Sequence, residues 1–298
     1  MKRLLALVCV MAFATSAFAQ EKEVTKVKTT TTTVSSGYDM LGPPLWSVQD
    51  AVPLECGRWD LRLGGKWTTA SAPANGGDSD DDFALVPHVV FGLVQNVEAW
   101  VSVPVWLGDS GDVGPFADGN YDTYLGAMWR FLEQEGYRPA MAIQASARIP
   151  TGDGSSGIDG ELRLLMTNSY DSGIRSHINL FGATINGNND ASWRYRTYNP
   201  TDVYTSDTYP ENRNFQWGAI IGLDGPLGSD GKLRWVADYM HRSSYHYGAA
   251  DINQLELGIE WAVAEGHALG LNGVFGLDDN EDTLNAGAGF AYSYTIKK

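Results

Sequence analysis

The chain has 298 residues, with 21 Lys plus Arg against 36 Asp plus Glu and a formal net charge of -15. Hydrophobic residues at 43%, charged residues at 19% and glycines without a three-residue period exclude a chain disordered throughout, a collagen and a coiled coil. An acidic balance also lacks the basic face that a nucleic-acid partner demands, so no nucleic acid is expected.

Lys2 and Arg3 precede an apolar run from Leu4 to Ala14, and Ala17-Phe18-Ala19 supplies small residues for cleavage. This layout predicts a signal peptide over 1–19, cleaved near Ala19, for Sec export. The run is too short for a membrane-spanning helix. Cys9 leaves with it and Cys56 is then alone, so no internal disulfide is expected. Residues 20–56 read as a flexible Thr-rich periplasmic arm. It carries consecutive threonines from Thr29 to Thr33 and ends its low-complexity part at Gly42-Pro43-Pro44. Leu45, Trp46 and Val48 are candidates to dock on the folded body.

From residue 57 onward the period is two. Trp59, Leu61, Leu63 and Trp67 share one face, and Arg58, Asp60, Arg62 and Lys66 the other. The alternation recurs from Leu255 to Val263 and from Leu284 to Ile296. Side chains alternate across a strand, so each segment has one apolar and one polar face. The pattern predicts strands over 57–70, 83–94, 97–107, 121–131, 139–150, 160–167, 174–185, 215–224, 232–242, 253–263, 267–278 and 283–296.

The connections alternate long and short, from 71–82 and 95–96 through 186–214 and 225–231. A sandwich has no reason for this. A transmembrane β-barrel does, with short periplasmic turns, long outer loops and an even strand number. A ten-residue strand tilted by about 40° spans ~25 Å, the height of an outer-membrane apolar band. Lipid demands full backbone pairing, so a closed barrel remains as the way to span. The predicted fold is all-β: a transmembrane antiparallel up-and-down barrel of about 12 strands over 57–298, in the bacterial outer membrane. Trp59, Trp67, Trp129, Phe131, Phe215, Trp217, Trp235, Trp261, Tyr292 and Tyr294 suit the aromatic girdles.

If the apolar faces meet lipid, the opposite faces line a lumen. The candidates for that lining, or for a solute path, are Arg58, Arg62, Glu98, Trp100, Asp122, Arg130, Arg148, Glu161, Arg163, Arg175, His177, Glu256 and Glu260. Lys66, Arg234, Arg242 and Asp238 belong to the same faces. Two readings stand side by side: ion pairs that fill and rigidify the barrel, and a polar path for a solute. Twelve strands give a backbone diameter of about 24 Å, which leaves room for a narrow channel and not for a wide bore.

Several motifs lack the context their chemistry needs. Gly152-x-Gly154-x-x-Gly157 is followed by a strand, not by the helix that would hold a pyrophosphate. Gly108-Asp109-Ser110-Gly111 has no histidine in a protease context upstream. The acidic runs at 78–82 and 278–282 lack the glycine and glutamate of a calcium loop. His177 and Asn179 share a phase, as in a membrane phospholipase, but no serine stands two residues after the histidine. No catalytic residue, cofactor or metal ligand is therefore assigned, and no enzyme is expected.

Ala147-Arg148-Ile149-Pro150-Thr151-Gly152, the returning strand from Gly160 to Leu165 and His177-Ile178-Asn179-Leu180 together resemble the transporter-like outer-membrane barrels named for the meta-pathway of phenol degradation. The resemblance spans roughly 57–298. It implies a barrel and uptake of small aromatic or apolar compounds, and carries over no binding residue. Such barrels usually finish on a terminal aromatic residue, whereas Ile296-Lys297-Lys298 ends this chain.

The function expected is passive passage or binding of small solutes, aromatic or apolar ones among them. The alternatives are a structural or adhesive barrel using the aromatic-rich loop 186–214, and a membrane-embedded hydrolase. The expected partners are outer-membrane lipid and lipopolysaccharide, the outer-membrane assembly machinery and a small-molecule solute.

Overall fold

The structure, a computed structural model, describes residues 45–70, 81–109, 122–151, 157–184, 213–244, 251–277 and 284–296. All of them fall within one compact unit spanning 38–298. The signal sequence, the Thr-rich stretch, most of loop 186–214, the glycine motif at 152–156 and the acidic run at 278–282 lie outside the described residues, as do residues 78–80 of the other run.

In chain order the strands are β1 (Trp59–Ala70), β2 (Asp81–Val94), β3 (Val97–Ser102), β4 (Val105–Asp109), β5 (Thr123–Leu132), β6 (Ala140–Ile149), β7 (Asp159–Ser169), β8 (Arg175–Thr184), β9 (Phe215–Leu227), β10 (Leu233–Arg242), β11 (Ile252–Ala264), β12 (His267–Gly276) and β13 (Leu284–Ile296). Each pairs antiparallel with its neighbour, and β1 pairs with both β2 and β13, which closes the ring. β3 and β4 both pair with β2 and are two halves of one wall strand, interrupted at Val103-Pro104. Pro104 has no N–H to give to a ladder, so pairing breaks there. The wall is therefore a closed antiparallel barrel of twelve strands.

The alternation read in the sequence separates two surfaces. On β12, Leu271 is 58% exposed and the adjacent Asn272 only 7%. Outward positions carry Leu, Ile, Val, Trp, Phe and Tyr around the ring, exposed on the isolated chain. Trp59, Trp67, Trp129, Phe131, Phe215, Trp217, Trp261, Tyr292 and Tyr294 are all on this exposed set, and Trp235 is half-buried. A water-facing wall would not present such a continuous apolar surface. Apolar surroundings reward each buried Leu or Ile by about 1.5–3 kcal/mol, so the exterior belongs in lipid. Twelve-stranded antiparallel barrels of this kind are outer-membrane structures, and the exterior and fold together place the chain in the bacterial outer membrane.

Short turns at one rim follow from residues that tolerate positive φ. Asn96, at φ 66°, closes the β2–β3 hairpin, and Gly266, at φ 74°, closes β11–β12. A Cβ at Gly266 would also press on the Thr295 carbonyl.

The interior differs from a simple polar lumen. Residues 45–56 do not form a free periplasmic arm. They enter the barrel and cross it, and Leu45, Trp46, Val48, Ala51 and Leu54 are all buried. They pack on inward apolar residues that period-two reading had left without a role. Leu45, Trp46 and Val48 join Ile220, Val236 and Met240, Ala51 joins Met128 and Leu165, and Leu54 joins Val90 and Trp100. The physical reason is mutual. The five side chains leave water, and inward apolar residues such as Ile220 and Met240, cross-strand neighbours on β9 and β10, gain further apolar cover.

Candidate functional site

The interior is built as a seat for the segment 45–56, with a cavity above it. The segment forms no ladder with the wall. Instead, wall side chains grip its backbone one group at a time. From β11, Glu260 accepts the Trp46 Nε1–H at 2.6 Å and Glu256 accepts the Ser47 N–H at 2.8 Å. Asp238 on β10 accepts the Val48 N–H at 3.4 Å. On β7, Thr167 Oγ1 accepts the Ala51 N–H at 2.9 Å, and Glu98 on β3 accepts the Leu54 N–H at 2.6 Å. Carbonyls are held as well: Asn272 donates to Leu45 O at 2.7 Å and Arg163 to Ser47 O at 3.1 Å. Buried backbone groups without partners are costly, so these contacts are what let a non-ladder segment remain inside.

Two inward glycines shape the seat. A Cβ at Gly222 would stand 2.8 Å from a Val48 methyl, and one at Gly258 would stand 2.7 Å from the Trp46 ring. Both positions keep the wall low where the segment is bulky.

Beneath the segment lies a charged knot. Asp224 on β9 accepts Arg175 Nε at 3.0 Å, Arg234 of β10, and the His177 ring at 2.6 Å. Arg175 also reaches Asp50 of the segment at 3.2 Å. The His177 Nδ1 stands 3.0 Å from the Thr167 hydroxyl. The Thr167–His177–Asp224 chain thus has the order of a hydrolytic triad, but Thr167 is 1% exposed and lies under the Ala51 N–H. It supports the segment and presents no nucleophile to a solute.

Above the segment a cavity of about 100 Å³ opens between the wall and the residues Trp46, Ser47 and Gln49. Trp100, Tyr124 and Phe181 bring rings to it, and Gln144 and Gln216 bring amides. Arg148 stands at its margin between Asp122 and Asp159, 2.8 Å from the latter. Arg163 pairs with Glu161 at 3.1 Å and lies 5.1 Å over the Phe181 ring. Trp100 stacks on His88 with ring centroids 5.1 Å apart.

The thirteen residues singled out in the sequence fall into three groups. Glu98, Arg163, Arg175, His177, Glu256 and Glu260 hold the segment or the knot under it. Trp100, Asp122, Arg148 and Glu161, with Arg163 again, belong to the cavity and its margin. Arg58, Arg62 and Arg130 stand apart from both: Arg58 pairs with Glu55 at 2.6 Å, Arg62 with Asp60 at 2.6 Å, and Arg130 with Asn96 and Glu133 at the turn rim. Lys66 reaches Glu256 at 3.2 Å. Sequence reasoning missed Asp224, Asp159, Asp50 and Thr167 as interior polar groups. The inward parity of Asp224 was readable from Gln216 through Gly222. Leu45, Trp46 and Val48 do dock on the folded body as their apolar character suggested, but nothing local in residues 45–54 announced that the docking site is the lumen.

No family model matches the chain, and no curated protein matches its sequence. Among solved structures, it is similar to an outer membrane channel from Pseudomonas putida F1, with a TM-score of 0.60 at 12% identity, covering 83% of this chain and 98% of that one. It is also similar to the NanC porin, with a TM-score of 0.53 at 8% identity, covering 80% of this chain and 100% of that one. At these identities the likeness is one of fold: this chain shares the barrel architecture of an outer-membrane channel and a porin.

Proposed function

We propose that the barrel binds and passes small solutes across the outer membrane, with the cavity over Trp46 as the first binding position. The observation that carries this reading is the cavity itself. It is a space of about 100 Å³ inside a closed wall, lined on several sides by rings and amides and floored by a segment held through individual side-chain contacts. A barrel meant only as a structural post would gain more stability by filling that space. Rings beside hydrogen-bonding groups suit a solute with an apolar body and a polar edge. The resemblance at Ala147 to Gly152 to transporter-like barrels supports the same direction. In this reading the upper exterior faces lipopolysaccharide, the assembly machinery inserts the chain by way of β13, and passage involves no chemical conversion.

The test is conductance in a planar bilayer. The intact mature protein should give small, infrequent openings, because residues 45–54 fill the middle of the barrel. A form lacking residues 45–54 should give larger and steadier currents. If neither form conducts, and neither lets small solutes into swelling liposomes, the reading falls.

A further inference from the structure

The floor of the cavity is made by anchored residues of the segment, and one anchor, Arg163, lines the cavity as well. Trp46 and Ser47 line the cavity, and both are held by wall side chains. Arg163 is the clearest shared element: it lines the cavity while its Nη1 donates to the Ser47 carbonyl at 3.1 Å. Its other partner, Glu161, keeps 27% of its side chain exposed, so that carboxylate has room to swing outward. Arg148 sits between Asp122 and Asp159. With Asp122 counted, the guanidiniums of Arg148, Arg163 and Arg242 are matched by the carboxylates of Asp122, Asp159 and Glu161. A solute carboxylate therefore enters by exchanging an acceptor on Arg163 and not through an excess of positive charge.

A guanidinium accepts a planar carboxylate better than a lone carbonyl, because two N–H groups then meet two oxygens and both partners are charged. The Phe181 ring under Arg163 and the rings of Trp100 and Tyr124 offer apolar faces to a flat body. The space of about 100 Å³ is below the ~150 Å³ that takes a benzene ring in a closed cavity, so one small ring is the most it holds while the segment is seated. Resting on the solute-binding reading above, we propose that the cavity takes a small aromatic monocarboxylate, whose carboxylate replaces the Ser47 carbonyl on Arg163 and so unseats the segment 45–56. Binding above and seating below are then coupled, and each weakens the other by the same factor.

The experiment reads the seat rather than transport. Val48, fully buried beside Gly222, is changed to cysteine in a Cys56→Ser background, and labelling by a membrane-impermeant thiol reagent is timed in liposomes. Benzoate should speed labelling about fivefold or more, the low end of typical coupling between sites. Benzyl alcohol, which has the ring without the carboxylate, and acetate, which has the carboxylate without the ring, should leave the rate unchanged. Arg163→Gln should raise the basal rate and abolish the benzoate response. Heat-modifiable migration on a gel shows that each variant is folded, and calorimetric titration of the unaltered protein with benzoate supplies a second measurement. An unchanged labelling rate with no heat of binding overturns the proposal, even if the barrel conducts. Equal acceleration by benzyl alcohol overturns the carboxylate claim. Absence of conductance, by contrast, counts against the passage reading and leaves the labelling result standing by itself.

Discussion

Asn179 holds Gln49 at both of its backbone groups: the Gln49 N–H donates to Asn179 Oδ1, and Asn179 Nδ2 donates to the Gln49 carbonyl, each at 2.8 Å. One wall side chain thus does for the segment what a neighbouring strand would do. Asn179→Leu removes both partners and leaves two interior backbone groups unpaired, at about 1–3 kcal/mol each. The wall itself keeps its ladder, because Asn179 pairs in register with Ile220 and Leu165 through its backbone. The expected outcome is faster proteolysis within 45–56 with unchanged heat-modifiable migration. Cleavage at the rate of the unaltered protein would show that the double contact is dispensable.

Gly222 and Gly258 separate two ways of disturbing the seat. A side chain at 222 first meets the Val48 side chain, whereas one at 258 first runs into the backbone of the neighbouring β12 at Leu271. Gly222→Leu should therefore eject the segment and raise single-channel conductance while the barrel still folds. Gly258→Leu should impair folding itself, read as loss of the heat-modifiable band after refolding into detergent. If both variants fold equally well, the wall has more slack at Gly258 than its packing implies.

Asp224 gathers Arg175, Arg234 and His177 within the barrel and is itself fully buried. Asp224→Ala leaves two guanidiniums without their shared carboxylate. Removing one partner of a buried ion pair typically costs about 3–5 kcal/mol, since the charge left behind is not solvated. The unfolding midpoint in urea should fall accordingly. Because Arg175 also reaches Asp50, the variant should loosen the segment as well, visible as increased thiol labelling of the Val48→Cys probe.

Leu257 and Glu256 are adjacent on β11 and face opposite media: Leu257 is 43% exposed on the isolated chain, and Glu256 is fully buried against Lys66 and Ser47. Leu257→Arg puts a charge on the lipid face at mid-strand, at a cost of about 2–4 kcal/mol. Folding into lipid vesicles should be weakened by that amount, measured from the denaturant dependence of intrinsic fluorescence. A negligible change would mean that this face does not meet the hydrocarbon.

The wall was legible because its signal is local and repeated. Trp59 to Trp67 and Leu255 to Val263 alternate so regularly that strand, face and register follow from the pleat. The long and short connections then give the closure. The break at Pro104 was also open to reading, since a residue without an N–H interrupts a ladder, although period counting ran straight through it from 97 to 107. The interior was less legible. Met128, Leu165, Ile220 and Met240 stood at inward positions where a polar lumen has no use for them, and their meaning depends on a segment more than seventy residues away from the nearest of them.

Composition and the period of two determined that this chain closes into a barrel with an oily exterior, because each strand carries that instruction within ten residues and lipid leaves no other way to satisfy its backbone. Tertiary structure alone decided what fills it. Residues 45–54 have no period, and their N–H groups could have been met by water in the periplasm. Glu98, Asn179, Asp238, Glu256 and Glu260 become a seat only when ring closure turns them to face one another across the lumen. That convergence of distant side chains on one short stretch of backbone is a property of the closed barrel, and no window of the sequence contains it.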